Sequence, residues 1–344
     1  MAALDDVTEM RAVVCHAHGW PQPLAVGRVP VPEPAPGEML VRVAAAGVNF
    51  ADTLMIGGSY QEKLAPPFIP GAELSGTVVA TGKDVRGYRP GDRVMAQVSS
   101  GAYAEFVRVD PDRAAPVPAG MSDQEAAGFY IPYGTAYAGL IGRGRMVAGD
   151  VVVVTGAGGA VGRAAVEVAK AAGAYVVGVA EGEERQALVE AAGADRVVGA
   201  TDAREAVLAA TDRRGADIVF DVVGGDTARE LMRTLAFEGR FLIVGFAGGE
   251  VPVFPANHVL VKNIDICGFF WGPYQRLRPE ETAKVFKGLA DLFDRGLLKP
   301  RVARSYPLEG TGDALEQITR RSHVGKLVID MAATPQRTHS GAGQ

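Results

Sequence analysis

The stretch Gly47–Gln61, "GVNFADTLMIGGSYQ", sets Asn49, Asp52 and Tyr60 among apolar residues and contains neither Cys nor His. An amide that both donates and accepts, a carboxylate and a phenol can together hold hydroxyls, orient a polar ligand and pass a proton. The stretch reads as a loop rather than a regular helix or strand. A second stretch, "VVVVTGAGGAVG", carries different chemistry. Ala157, Gly159 and Gly162 stand at the positions of G-x-G-x-x-G, with Ala for the first Gly, and Gly158, Ala160 and Val161 fill the places around them. Gly159 lets the backbone approach a pyrophosphate, and Gly162 lets the following helix pack close to the strand. The helix N-terminus supplies unpaired N–H groups and partial positive charge. The string follows a buried strand and opens a helix within a βαβ unit, the context that dinucleotide binding requires.

The end of the next strand, "VVGVAEGEER", bears on which dinucleotide binds. Glu181 suits a ribose diol and would repel a 2′-phosphate if it pointed inward. Arg185 either pairs with such a phosphate or is a solvated helix charge. The balance leans to NADPH, with NADH left open.

These motifs need a scaffold, and the bulk composition allows one. The chain has 344 residues, 48% hydrophobic and 22% charged, enough for two domains with substantial cores. The formal charge is −5 and no basic block stands out, so neither a nucleic-acid surface nor an anionic-membrane surface is expected. Cys15 and Cys267, far apart, exclude a disulfide framework and a Cys-rich zinc cluster, and suit a reducing cytosol. The N-terminus has early acids and no apolar core of a secretory signal, so a cytoplasmic location is expected. The most apolar stretch, Val151–Ala180, is interrupted by Arg163, Glu167 and Lys170 and reads as a buried strand and helix rather than a membrane span.

Short Val- and Ala-rich runs at Arg11–Cys15, Leu40–Ala46, Glu73–Ala80 and Arg93–Ala96, broken by Pro and Gly, predict a compact barrel-like β domain. Ser122 with Glu125 is a capping box that opens a helix. From Asp150 to about Gly268 strands and helices alternate, the signature of a doubly wound parallel sheet. Helices are expected at Ala160–Ala172, Glu183–Ala192, Ala203–Thr211 and Thr227–Leu235. The intervening strands are "YVVGVA", "DRVVG", "ADIVFDVVG", "GRFLIVGF" and "NIDICGFF". Pro279–Arg295 reads as a helix, "VGKLVID" as a strand returning to the β domain, and the small, polar tail as frayed.

Over about Arg11–Asp330 the chain resembles the zinc-free quinone oxidoreductase branch of the medium-chain dehydrogenase/reductase superfamily. The landmarks are "AAAGVNFADTLMIGG", "PFIPGAELSGTVVATG", "RPGDRVMA", "GAYAEF", "TGAGGAVGRAAVEVAKAAGA", "DIVFDVVGG", "GRFLIVG" and "VGKLVID". The resemblance implies an α/β protein: a GroES-like β-barrel domain, residues 1–128 completed by 272–344, clasping a Rossmann dinucleotide-binding domain, residues 129–271. It implies a cleft for nicotinamide and substrate between them. It also implies a homodimer or homotetramer built by joining Rossmann sheets, for which a strand such as Val259–Phe269 would serve.

The zinc enzymes of the superfamily carry a metal-binding Cys where this chain has Asn49 and a His where it has Ala72. Their third ligand falls in "IPYGTAY", and their structural-zinc lobe is missing because "MAQVSSGAYAEF" runs straight on. The five His, at 16, 18, 258, 323 and 339, do not cluster usefully, so no metal is expected. Without a Lewis acid an alkoxide is hard to stabilise. A quinone, or a C=C conjugated to a carbonyl, spreads the incoming charge onto oxygen and needs only hydrogen-bond donors and a proton source.

By match to the family's motif, Asn49 and Asp52 lie at the nicotinamide end with Tyr60 over the substrate cleft. Asn49 would hold a ribose hydroxyl or the acceptor oxygen, and Asp52 would order that amide or a ribose. Tyr60 would donate a hydrogen bond or a proton. Leu54 stands where relatives often have a second Tyr. Thr135 matches a residue near the nicotinamide, and Tyr130 and Tyr133 sit where the domains meet, with Tyr133 against substrate. Gly224 and the loop of Gly245, Phe246 and Ala247 join the cofactor set. Phe269, Phe270 and Trp271 form an aromatic wall, Trp271 also facing substrate, and Lys326 approaches the cofactor. Three functions remain open: an NADPH-dependent quinone reductase, a reductase of activated C=C bonds in enones, acrylate-type acids or enoyl thioesters, and a non-catalytic NADPH-binding protein.

Overall fold

Continuous apolar runs and alternating ones sort into two large sheets. The computed structural model describes residues 7–19 and 24–334, so the frayed tail expected at the C-terminus lies mostly outside the described residues. The first part forms β1 (Glu9–Cys15), β2 (Leu24–Pro30), β3 (Met39–Gly47), α1 (Phe50–Ile56), β4 (Glu73–Thr81), β5 (Arg93–Gln97), β6 (Phe106–Val109) and β7 (Ala114–Pro116). After α2 (Asp123–Ala127) and α3 (Tyr130–Tyr137) come β8 (Val151–Val154), α4 (Ala160–Ala171), β9 (Tyr175–Val179), α5 (Glu183–Ala191), β10 (Arg196–Val198) and α6 (Ala200–Ala210). Then follow β11 (Ala216–Asp221), α7 (Gly225–Met232), β12 (Leu235–Ile243), α8 (Ala256–Lys262), β13 (Asp265–Gly268), α9 (Trp271–Leu277) and α10 (Pro279–Asp294). The chain closes with β14 (Val302–Tyr306), α11 (Thr311–Arg320) and β15 (Lys326–Asp330).

The second sheet is parallel, in the order β10-β9-β8-β11-β12-β13. The order reverses between β8 and β11, so the crevice for a dinucleotide opens outside the carboxyl ends of those strands. All four Val of β8 are buried, because helices cover both faces of the sheet. The barrel sheet runs β14-β15-β3-β4-β5-β7, with β6 on β3. β15 pairs antiparallel with β3, setting Val328 opposite Gly47. That pairing brings the C-terminal strand to the start of the Asn49 segment. The GroES-like barrel and Rossmann-like sheet expected from the sequence are both present.

Several local expectations change. Asn49–Gln61 is not all loop: Phe50–Ile56 is a short helix whose Met55 and Ile56 are buried. α7 ends at Met232, and Leu235 opens β12 instead of closing the helix, because its side chain is needed under the sheet. Val259–Lys262 is helical, so only the second half of the Val259–Phe269 segment is an edge strand. The C-terminal third packs against both sheets. Val285, Phe286 and Leu289 of α10 pack in one core with α3 and α4, so this helix covers the nucleotide-binding side; β14, α11 and β15 complete the barrel.

Candidate active site

Asn49 caps α1 just beyond the end of β3, and tertiary pairing surrounds it with charge. Its Nδ2 donates to Glu73 Oε2 at 3.1 Å and to the Gly47 carbonyl at 3.3 Å, while Lys326 Nζ donates to its Oδ1 at 2.8 Å. Both amide protons and one acceptor lone pair are therefore committed. What Asn49 can still offer is an acceptor for a hydroxyl. It has no spare donor for an acceptor oxygen, which narrows the two roles expected of it to one.

Glu73 and Lys326 are a buried ion pair, 2.6 Å apart, at 0% and 5% side-chain exposure. Glu73 Oε1 also accepts from Ile131 N at 2.7 Å, in the first turn of α3. One carboxylate thus ties the barrel to the first turn of the helix that carries Thr135. Gly47 makes the arrangement possible. A Cβ there would overlap the Ala127 carbonyl and Glu73 Oε2, and would press on the Lys326 stem at 3.0 Å. Lys326 is thus a structural cation that orients Asn49, and it lines a small cavity together with Ala160 at the start of α4.

Asp52 is fully buried three residues along. Its Oδ2 accepts from Asn49 N at 2.8 Å and from the Tyr103 hydroxyl at 2.7 Å. Oδ1 is enclosed with no partner among the described residues. Burial pushes the carboxyl up to about 6 against the pull of Tyr103, Asn49 N and Lys326. Asp52 therefore fixes the turn that presents Asn49 and does not itself reach a ligand. Tyr60, beyond α1, is half-buried; desolvation, then the charges of Glu62 and Asp52, raise its pKa. It is held protonated, a hydrogen-bond donor first and a slow acid second. Its ring meets Phe270 edge-on, centroids 6.4 Å apart, so barrel and Rossmann side touch across the cleft.

The cofactor cradle follows the spacing. Gly159 is the N-cap of α4 and no side chain caps that helix, leaving its first amides for an anion. A Cβ on Gly162 would overlap the Gly156 carbonyl, and one on Gly159 would lie 3.3 Å from it. Gly162→Ala is expected to push the helix off the strand and weaken binding of the nicotinamide cofactor by at least about tenfold, roughly 1.4 kcal/mol. Fluorescence titration measures this, and unchanged affinity would contradict the close-packing role. Thr155, which no motif marks, donates to Asp221 at 2.5 Å, and Asp221 accepts from Val223 N and Gly224 N. This link holds together the ends of β8 and β11, the two sides of the switch point. The Gly224 amide is spent there, so Gly224 shapes the loop instead of donating to a phosphate. Gly245, Phe246 and Ala247 follow β12 at the same edge, and Phe246 is exposed.

Other expected contacts are redirected. Glu181 accepts through Oε1 from Ala200 N at 2.7 Å, the first residue of α6. Arg185 lies across the glycine loop: a Cβ on Gly158 would meet its Cβ at 2.8 Å. Its guanidinium donates to the Arg321 and His323 carbonyls. Arg321, which nothing in the sequence singles out, donates in turn to the Ala247 carbonyl. Two arginines thus span from the nucleotide side to the barrel's last helix and loop. Tyr133 is not a substrate wall: it is buried and donates to Glu167 Oε2 at 2.7 Å, while Arg163 donates to Oε1 of the same carboxylate. Phe269 and Trp271 are buried too, Trp271 lying 2.8 Å from where a Cβ on Gly134 would sit and stacking on Tyr274. Of the aromatic wall only Phe270 is exposed. A residue type shows that a ring wants burial, not which face buries it.

Among the described residues no three His, Cys, Asp or Glu come together as a possible metal site. Around Glu73 the positive charge is already supplied by Lys326. An ammonium and a carboxamide beside a single carboxylate do not fit a metal.

Residues 35–119 match the family model for the alcohol dehydrogenase GroES-like domain, and residues 160–290 match the one described as zinc-binding dehydrogenase. The chain is 36% identical to the quinone oxidoreductase-like protein 2 homolog of Nematostella vectensis, over 93% of this chain and 88% of that protein. A probable oxidoreductase from Mycobacterium abscessus superposes with a TM-score of 0.85 at 35% identity, over 94% of this chain and 99% of that one. The quinone oxidoreductase from Thermus thermophilus, solved also as its complex with NADPH, gives 0.83 at 34% identity over 94% of this chain and all of that one. Barrel, switch-point crevice and uncapped α4 together define an oxidoreductase that binds a nicotinamide cofactor. The chain belongs to the quinone oxidoreductase branch of the medium-chain dehydrogenase/reductase superfamily.

Proposed function

We propose that the protein is an NADPH-dependent quinone oxidoreductase working without metal. The observation that carries the reading is the Asn49–Glu73–Lys326 cluster: it orders an amide acceptor beside the cofactor crevice and offers no Lewis acid for an alkoxide. When bound, the nicotinamide supplies two electrons and a proton together as hydride. Ala160–Gly162 amides and Arg185 hold the phosphates, and Asn49 Oδ1 receives a ribose hydroxyl. Tyr60 donates to the acceptor, and the second proton enters from solvent past it, so quinone plus NADPH plus one proton give hydroquinone plus NADP+. The exposed edge β13, beside the apolar Leu260 and Val261 of α8, suits a homo-oligomer.

The alternative, reduction of activated C=C bonds, is favoured by the apolar Leu54 and Phe270 near the mouth. Steady-state rates of NADPH oxidation on a quinone panel and an enone panel separate the two. Faster quinones support the main reading, and faster enones replace it. Tight NADPH binding with no turnover on either panel makes the protein a binder. For the cofactor, Arg185→Ala is expected to raise KM for NADPH more than KM for NADH. An equal rise for both would remove Arg185 from the 2′-phosphate.

A further inference from the structure

Asn49 has no donor left for an acceptor oxygen, and Tyr60 offers a single hydroxyl, while a quinone or enone in the cleft builds charge on an oxygen that a second donor can meet. Gln97 ends β5 directly opposite Glu73 on β4. Directly paired residues project to the same face of a sheet with Cβ atoms about 5 Å apart, so the Gln97 side chain stands beside the Asn49–Glu73–Lys326 cluster. From the Rossmann side comes α9. Its Gln275, fully buried, donates through Nε2 to Gln97 Oε1. Gln97 Nε2 is left without a partner among the described residues, is not enclosed, and lies 3.7 Å from where a Cβ on Gly272 would sit.

The pose of this amide is set by the bond from Gln275: with Gln275 Nε2 donating to Gln97 Oε1, the Gln97 amide turns its own Nε2 away from α9's buried face.

We propose that Gln97, held by Gln275, is the hydrogen-bond donor to the oxygen of the acceptor on which charge builds during hydride transfer. The assignment rests on the proposed function for its reaction but not for its geometry. An amide donor in a cleft that water leaves on closure is worth far more to a developing oxyanion than to a neutral carbonyl. Its loss should therefore fall mainly on turnover, and weak acceptors should suffer more than electron-poor quinones.

The test uses the whole chain with NADP+ or NADPH bound and two variants, Gln97→Met, which keeps the length without the donor, and Gln97→Glu, which places a carboxylate there. The first readout is equilibrium binding of 4-nitrophenolate, whose charged oxygen stands in for an enolate, to the NADP+ complex. Affinity is expected to fall at least about tenfold in Gln97→Met and further in Gln97→Glu. The second is kcat on the enone and quinone panels, expected to fall about 10²-fold with NADPH affinity unchanged, and more for enones. Failure of the wild type to bind the phenolate, or equal affinity across all three proteins, overturns the assignment. Phenolate discrimination without turnover by the wild type would keep Gln97 as an anion donor and reject the proposed reaction instead.

Discussion

Replacing Lys326 by Met is expected to lower stability by about 3–5 kcal/mol, the cost of leaving one partner of a buried pair uncompensated. Glu73 is wholly enclosed and, among the described residues, accepts one backbone N–H and one amide besides Lys326. Neither replaces a full positive charge in so dry a setting. The variant should melt at a clearly lower temperature. Adding Glu73→Gln to it removes the orphaned charge and should restore more than half of the loss. Turnover should stay low in both, because nothing then fixes Asn49 Oδ1. Equal melting of the single and double variants would show that the pair contributes packing rather than charge compensation.

The second large effect concerns pH. Asp52 has a folded pKa of about 6 against an ordinary value of 3.8. A carboxyl whose folded pKa is raised binds its proton more tightly in the native state. Its contribution to stability is therefore greatest below the unfolded value and is lost as pH rises to the folded one. The difference is about two units, so ionising Asp52 costs about 3 kcal/mol. Asp52→Asn keeps an oxygen for Asn49 N and the Tyr103 hydroxyl but cannot titrate. Stability of the wild type minus that of Asp52→Asn, from denaturant unfolding, should drop by about 2 kcal/mol from about pH 4 to about pH 6.5 and be level above. A level difference throughout would mean that Oδ1 finds water or another partner in solution.

Both predictions depend on contacts that no local reading supplies. Lys326 and Glu73 are 253 residues apart and meet because β15 returns to pair with β3. Tyr103 reaches Asp52 from the loop before β6, and Gln275 reaches Gln97 from α9. The same limit explains the misplaced rings. Tyr133 and Trp271 were legible as aromatic residues at a domain junction, but which side of α3 or α9 faces the cleft is settled by what those helices pack against. The strands without a sequence signal, β2, β6, β7 and β14, are short or mostly exposed, with weak alternation to mark them.

By itself the sequence determined the architecture and the cofactor cradle. Parallel strands covered on both faces must be apolar throughout, and helices crossing close to them require glycine where a Cβ would strike backbone, so "VVVVTGAGGAVG" carries its own geometry. The resemblance to the zinc enzymes adds that Asn49 stands where they carry a Cys. The tertiary structure alone decided that the Asn49 amide is turned to accept, that Lys326 is a buried counter-ion, and that Gln97 carries the free donor. The direction of an amide depends on which charges and amides long-range strand pairing sets beside it, and no spacing along the chain encodes that.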